Sequence, residues 1–379
     1  MKSVRVAGLA LGLLLVALLV GSARASATKP PATSVRQAAH PVSAVAMDWP
    51  RVAYATGKDG NSETIHVWNM ATGATSAVKS PKGFATHHTA QIAIAGNRLA
   101  WIRTVQLGNT ELNHWLYTAP LGGSAHLLRS MHGYTDTDCG LGGPQMGGLV
   151  GSGTAMAVST WTQSSDGSTS WGQRLSLVTP TGLHTIATGP DAILSESGDG
   201  RHIAVLPIPP SSLAEGYCEG ALPTNAVVYS TDGTLLQTIP LPPADPSTVG
   251  YQLALSGNEL VVLTDGLYEP DGPAWVTLSV YDWTTGALQH TWPVAIPIYP
   301  GEVSFTAHGN LAAVEGPYRL HLVDLDTGKD VTIARSSHIA SPPALDAHGL
   351  VYALNPTYRG PGKLVFAPTA KLRADLSGG

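Results

Sequence analysis

The chain is poor in charge and has almost no cysteine. Charged residues make up 12% of its 379 positions, against about a quarter in ordinary domains. No run of basic residues occurs, and removing Lys2, Arg5 and Arg24 with a leader leaves 21 − 3 = 18 basic against 26 acidic residues, a net charge of −8. That balance excludes nucleic-acid binding through phosphates and docking on anionic lipid. The only cysteines, Cys139 and Cys218, form no C-x-x-C, which excludes a thioredoxin-like redox motif and a structural zinc site. No G-x-S-x-G is present, so a nucleophile elbow is missing. After residue 27 no stretch is apolar enough for a membrane helix, and no membrane span is expected once the leader is cleaved.

What the amino terminus does have is a secretory pattern. Lys2 and Arg5 precede an apolar run from Val6 to Val20, and Ala23-Arg24-Ala25 or Ala25-Ser26-Ala27 offers a cleavage site. Residues 1–27 are therefore expected to be a signal peptide, and the mature chain to be secreted or periplasmic. An even cysteine count in an exported chain predicts a Cys139–Cys218 disulfide. Residues 28–41 read as a linker, within which Thr33–Gln37 is also a candidate closing strand.

From Tyr251 to Trp292 the sequence holds four short runs with period-two alternation, broken by Ser256-Gly257-Asn258, by a loop with Gly266, Pro270, Gly272 and Pro273, and by Asp282-Trp283-Thr284-Thr285-Gly286. Successive strand side chains face opposite ways, so this pattern is a four-stranded antiparallel meander. Its second strand recurs at Val52, Leu99, Met156, Ile203, Leu260, Leu311 and Leu350. The copies stand about 50 residues apart, the spacing of propeller blades. A lone meander exposes an apolar face, which radial stacking buries. The predicted fold is all-β: a seven-bladed β-propeller of four-stranded antiparallel blades over residues 42–379, with innermost strands centred near Val45, Ile92, Val150, Ile193, Leu253, Phe305 and Leu345.

Within each blade the first-to-second and third-to-fourth turns are tight, as at Gly96-Asn97 and Thr327-Gly328. The other connections are long: Ser80–His88, Ser130–Pro144, Thr162–Gly172, Pro207–Thr224, Thr264–Pro273 and Pro293–Gly301. Long loops on one face of a rigid scaffold are where binding residues concentrate.

The turns Asn69-x-x-Thr72-Gly73, Asp282-x-x-Thr285-Gly286 and Asp324-x-x-Thr327-Gly328 resemble the D-x-x-T-G turn of quinoprotein-like and YVTN-type propeller repeats, within the wider WD40-like class. In quinoprotein repeats a tryptophan follows the turn and docks neighbouring blades. Here the position after Gly328 holds Thr332, and Trp292 is displaced into blade five. The turn itself reads as structural, with Asp or Asn capping it and Gly supplying positive φ.

Candidate sites follow from placement. His87, His88, His132, Asp136 and Asp138 lie on the long-loop face and are residue types that zinc or calcium accepts. Gln91, Gln145, Asp191, Gln252 and Glu302 fall at the channel end of the innermost strands, where they are candidates for a polar ligand. Tyr217 and Tyr268 on the same face give amphipathic contact area. No cofactor is expected beyond a candidate divalent cation. These features favour a binding or scaffold protein that engages a protein or carbohydrate partner on the long-loop face. The rival expectation is a metal-dependent hydrolase or lyase at the channel mouth, similar to calcium-dependent propeller lactonases, although their carboxylate pair with two asparagines is absent.

Overall fold

The computed structural model describes residues 33–57, 63–79, 81, 88–107, 111–136, 140–163, 170–208, 222–243, 245, 248–267, 274–294, 296, 303–316, 318–335, 342–357 and 360–378. The described residues open with β1 (Ser34–Gln37). Blade one is β2 (Val42–Asp48), β3 (Arg51–Thr56), β4 (Thr64–Asn69) and β5 (Thr75–Lys79); blade two is β6 (His88–Ala95), β7 (Arg98–Leu107), β8 (Glu111–Pro120) and β9 (His126–Asp136). Blade three is β10 (Gly140–Ser152), β11 (Ala155–Gln163), β12 (Ser170–Val178) and β13 (Leu183–Gly189); blade four is β14 (Ala192–Gly198), β15 (His202–Ile208), β16 (Asn225–Ser230) and β17 (Leu235–Pro240). Blade five is β18 (Thr248–Ser256), β19 (Glu259–Leu267), β20 (Ala274–Asp282) and β21 (Ala287–Val294); blade six is β22 (Ser304–His308), β23 (Leu311–Gly316), β24 (Arg319–Asp324) and β25 (Asp330–Arg335). Blade seven holds β26 (Ala344–Asp346), β27 (Gly349–Leu354) and β28 (Lys363–Pro368), followed by α1 (Thr369–Gly378). This is a seven-bladed propeller, and each of the seven residues expected at the centre of an innermost strand lies in one.

Burial explains the strand patterns. Second strands have a blade against each face, so β23 is buried at every residue and reads as the nearly unbroken apolar run Leu311-Ala312-Ala313-Val314. Outermost strands such as β21 are largely exposed and carry polar residues. The Asn/Asp turns form as expected. Asp324 Oδ1 accepts from the N–H groups of Asp326 and Thr327 at 3.0 Å. Gly328 sits at φ 71° and donates its N–H to the Asp324 carbonyl at 2.8 Å. Displaced as it is, Trp292 still docks blade five on blade six. Its Nε1 donates to the Leu325 carbonyl at 2.7 Å, and a Cβ at Gly328 would fall 2.3 Å from its ring.

Blade seven closes with the chain's own start. β1 pairs antiparallel with β28, Ser34 opposite Phe366 and Gln37 opposite Lys363, and supplies the outermost strand. The tail Thr369–Gly378 is a helix that buries Leu372 and Leu376 against blades six and seven. Those two leucines are one helical turn apart, which is helix spacing rather than strand spacing.

The expected long loop Ser130–Pro144 is corrected. β9 continues to Asp136 and β10 begins at Gly140, with Tyr134 opposite Gly142 and Asp136 opposite Gly140. Blades two and three thereby join in one eight-stranded sheet.

Five innermost strands break register at their long-loop ends, at Val42/Ala44, Thr89/Gln91, Met146/Leu149, Ile193/Ser195 and Thr248/Gly250. A bulge frees backbone groups from the ladder, and buried polar groups must find partners. At Val42 the partner is Asn355, 3% exposed. Its Oδ1 accepts from Val42 N at 3.0 Å and its Nδ2 donates to Val42 O at 2.8 Å. Asn355→Ala strands both groups and is expected to lower unfolding free energy by about 2–4 kcal/mol. Urea unfolding checks this; a midpoint equal to that of the unmodified protein would show that the tie carries no stability.

Candidate functional site

The same bulges account for several buried polar side chains on the long-loop half. Glu63 Oε1 accepts from Thr89 N at 2.6 Å, linking blade one to the bulge of blade two. Arg103 lies behind it, its Nε 3.4 Å from Glu63 Oε2 and its Nη1 2.5 Å from the Pro81 carbonyl. Gln91 Oε1 accepts from Leu149 N of blade three at 2.5 Å. In blade three the bulge residues Gly147 and Gly148 make room for neighbours: a Cβ at Gly148 would fall 2.5 Å from Glu196 Cγ. Glu196 Oε1 accepts from Ser159 N at 3.1 Å. Burial pushes the Glu196 carboxyl up to about 8, against the opposing hydrogen bonds from Ser159. Glu315, at the end of β23, is also pushed up to about 8 by burial, while Ser304 Oγ donates to its Oε2 at 3.1 Å. Both carboxyls are therefore protonated near neutral pH.

Of the residues expected to line the channel end, Gln91 and Gln252 tie blades together. Gln252 Nε2 donates to the Val303 carbonyl of blade six. Gln145 is buried and meets His114, Nε2 to Oε1 3.2 Å. Asp191 stands half-buried just before β14, and burial raises its carboxyl. Glu302, Tyr217 and Tyr268 lie outside the described residues, as do His87, Asp138, Cys139 and Cys218.

The expected metal ligands that are described stand apart. His88 opens β6, the innermost strand of blade two, and His132 lies on β9, the outermost. Three strand spacings separate them, about 14 Å. Asp136 is four residues along β9 from His132, about 13 Å. His132 Nδ1 instead lies 2.9 Å from Asn113 Oδ1, and its ring meets Trp115 edge-on at 6.4 Å. Among the described residues no three His, Cys, Asp or Glu side chains gather as a metal-holding group.

The axial channel holds a cavity of about 240 Å3 toward the opposite, tight-turn mouth, with Ser152, Asp199, His308 and Asp346 among its lining. The acids there serve the turns. Asp48 accepts from Gly96 N at 2.8 Å and Gly153 N at 3.1 Å, spanning blades one to three. Asp199 Oδ1 accepts from Arg201 N and His202 N, both at 2.8 Å. Asp346 Oδ1 accepts from His348 N at 2.7 Å. Burial lowers the His308 pKa, and the charges of Asp346 and Asp199 oppose that shift. Its Nδ1 lies 3.2 Å from Ser256 Oγ.

Sequence reading missed Glu63, Arg103, Glu196 and Glu315. Their one signal is a lone ionisable residue ending or interrupting an apolar strand, as in Leu311-Ala312-Ala313-Val314-Glu315.

Among the described residues the longest strands lie in blades two and three. β7, β8, β9 and β10 run 10, 10, 11 and 13 residues, against 5 to 7 for the strands of blade one. The ladder continues outward through Leu107↔Glu111 and Glu111↔Tyr134. Blades two and three thus raise a paired β wall on the long-loop face.

No protein-family model matches the chain, and no curated protein matches it. Among solved structures it is similar to the β-propeller domain of the Trilobed protease from Pyrococcus furiosus, described as having an open velcro topology. The identity is 14%, covering 88% of this chain and 94% of that one, at TM-score 0.52. A likeness at that identity speaks to architecture, and the architecture the two chains share is the β-propeller.

Proposed function

We propose that this propeller is an exported binding module that engages a protein or carbohydrate partner on its long-loop face. The observation that carries the reading is the raised wall of β7–β10. A hydrogen-bonded wall is preorganised, so little ordering entropy is lost when a partner docks against it. Its exposed residues include His132 and Arg129, beside the half-buried Trp115, types suited to recognition. Export rests on the leader pattern of residues 1–27. Glu63, Glu196, Gln91, Gln145 and Gln252, by contrast, are engaged in joining blades.

The test compares mature protein with a variant whose wall is shortened, residues 133–143 being replaced by an Asn-Gly turn. Both proteins carry Cys218→Ser, and the parent Cys139→Ser as well, so that neither holds the expected disulfide; both are immobilised and exposed to cell-surface protein and polysaccharide fractions. Leu235→Lys, on the exposed start of β17, serves as a control away from the wall. A partner retained by the parent and the control but lost by the shortened variant supports the proposal. Equal retention by all three contradicts it.

A further inference from the structure

The two faces of blade five differ in chemistry. Toward blade six it presents Val276, Leu278 and Val280, which pack with Phe305 and Val314. Toward blade four, Leu253, Leu255, Leu260 and Val262 pack in the core, and hydroxyls gather at the long-loop end of the same face. Thr264 and Thr277 stand opposite one another in the row that begins at Tyr251, Ser279 lies in the next row and Tyr281 in the one after. Tyr251 and Tyr281 reach the packed part of this interface, against Leu206 and Val228. The remainder stays open as a cavity of about 230 Å3, bounded by Leu241, Pro242 and Pro243 and reached by Trp275.

A propeller's inter-blade face is expected to be apolar, since burying hydroxyls without partners is unfavourable. Here the Tyr281 hydroxyl is buried and makes no well-formed hydrogen bond within the protein. Ser279 and Tyr251 stand near it. Burial raises both phenols above their ordinary pKa, so they remain donors at physiological pH. Among the described lining residues Asp245 is the only carboxylate, and no Lys, Arg or His is present.

We propose that the wedge between blades four and five binds one neutral sugar ring. The chemistry selects this class. An apolar ligand would leave the Tyr281 hydroxyl unpaired, and an anion would meet no positive charge among the described lining residues. A pyranose has an apolar C–H face for Trp275 and the prolines, and a rim of hydroxyls for the threonines, Ser279 and the phenols. The volume of about 230 Å3 is below the roughly 300 Å3 at which pockets for larger ligands begin, which suits a single ring. The wedge lies between blades rather than on the raised wall, so its occupancy is independent of partner binding there.

Mature full-length protein titrated calorimetrically with the methyl glycosides of glucose, galactose, mannose, xylose and N-acetylglucosamine tests this. At least one glycoside is expected to bind saturably. Thr277→Val combined with Ser279→Val should weaken that binding at least about tenfold. Tyr281→Phe removes only a buried hydroxyl. If the hydroxyl serves the ligand, this variant binds several-fold more weakly while unfolding no earlier than the parent. Failure of all five glycosides to bind overturns the proposal, as does binding unchanged in Tyr281→Phe and in the double variant. Shortening the wall of blades two and three should leave glycoside binding intact, which separates this site from the partner surface.

Discussion

Arg103→Leu is expected to destabilise the protein by about 3–5 kcal/mol, because it leaves the Glu63 carboxylate buried without its counter-charge. The pair is among the most enclosed in the chain, with side-chain exposures of 1% and 3%. Glu63 is fixed by Thr89 N, and Arg103 also reaches the Pro81 carbonyl and the Tyr117 hydroxyl. Three elements of blades one and two therefore converge on one guanidinium. Glu63→Gln retains an acceptor for Thr89 N and removes the charge. Combined with Arg103→Leu, it should restore part of the loss, because neither charge is then left alone. A double-mutant cycle in urea is expected to give a favourable coupling of about 2 kcal/mol or more. Additive losses would show that the two side chains stabilise the blades through packing alone.

Raising the pH from 5 to 8.5 is expected to weaken the fold through Glu196 and Glu315. Each carboxyl moves from 4.5 to about 8 on folding. Between those values the folded chain holds protons that the unfolded chain has released. The stability each group contributes is complete below 4.5 and is lost as pH rises through 8. At about 1.36 kcal/mol per pKa unit the change is on the order of 5 kcal/mol per carboxyl, a ceiling because an ionised side chain can swing toward water. Glu196→Gln keeps a neutral group of the same shape and should flatten the pH dependence, and adding Glu315→Gln should flatten it further. Melting curves at the two pH values decide the matter. If the double variant loses as much stability as the parent over this range, both carboxyls are already ionised at pH 5 and the argument fails.

The blades were legible because second strands are covered on both faces and must read as apolar runs, from Val52-Ala53-Tyr54 to Leu350-Val351-Tyr352. The Asn/Asp turns were legible because few residues cap a turn and few adopt positive φ. The β9–β10 ladder was not. Gly140-Leu141-Gly142-Gly143-Pro144 lacks β-branched side chains and reads as a loop, yet it is held by pairing across a blade boundary. Gln91 and Gln252 were expected at the channel end of innermost strands, and they lie within β6 and β18. Their inter-blade bonds depend on which neighbour each side chain faces, and that requires the ring to be assembled. Glu196 needed more still, since its cradle is made by Gly147 and Gly148 of another blade.

The pairing of β1 with β28 has a consequence in time. Gln37 and Lys363 are register partners separated by 363 − 37 = 326 positions. At about 5–20 residues per second, a ribosome takes roughly 15–65 s to travel from one to the other. For that whole interval β1 has no partner, while the six complete blades can form in turn from neighbouring sequence. The circle is sealed by the oldest segment meeting almost the youngest. Until then the edge of β28's future position is open to any passing strand, including β1 of another copy emerging from the same message.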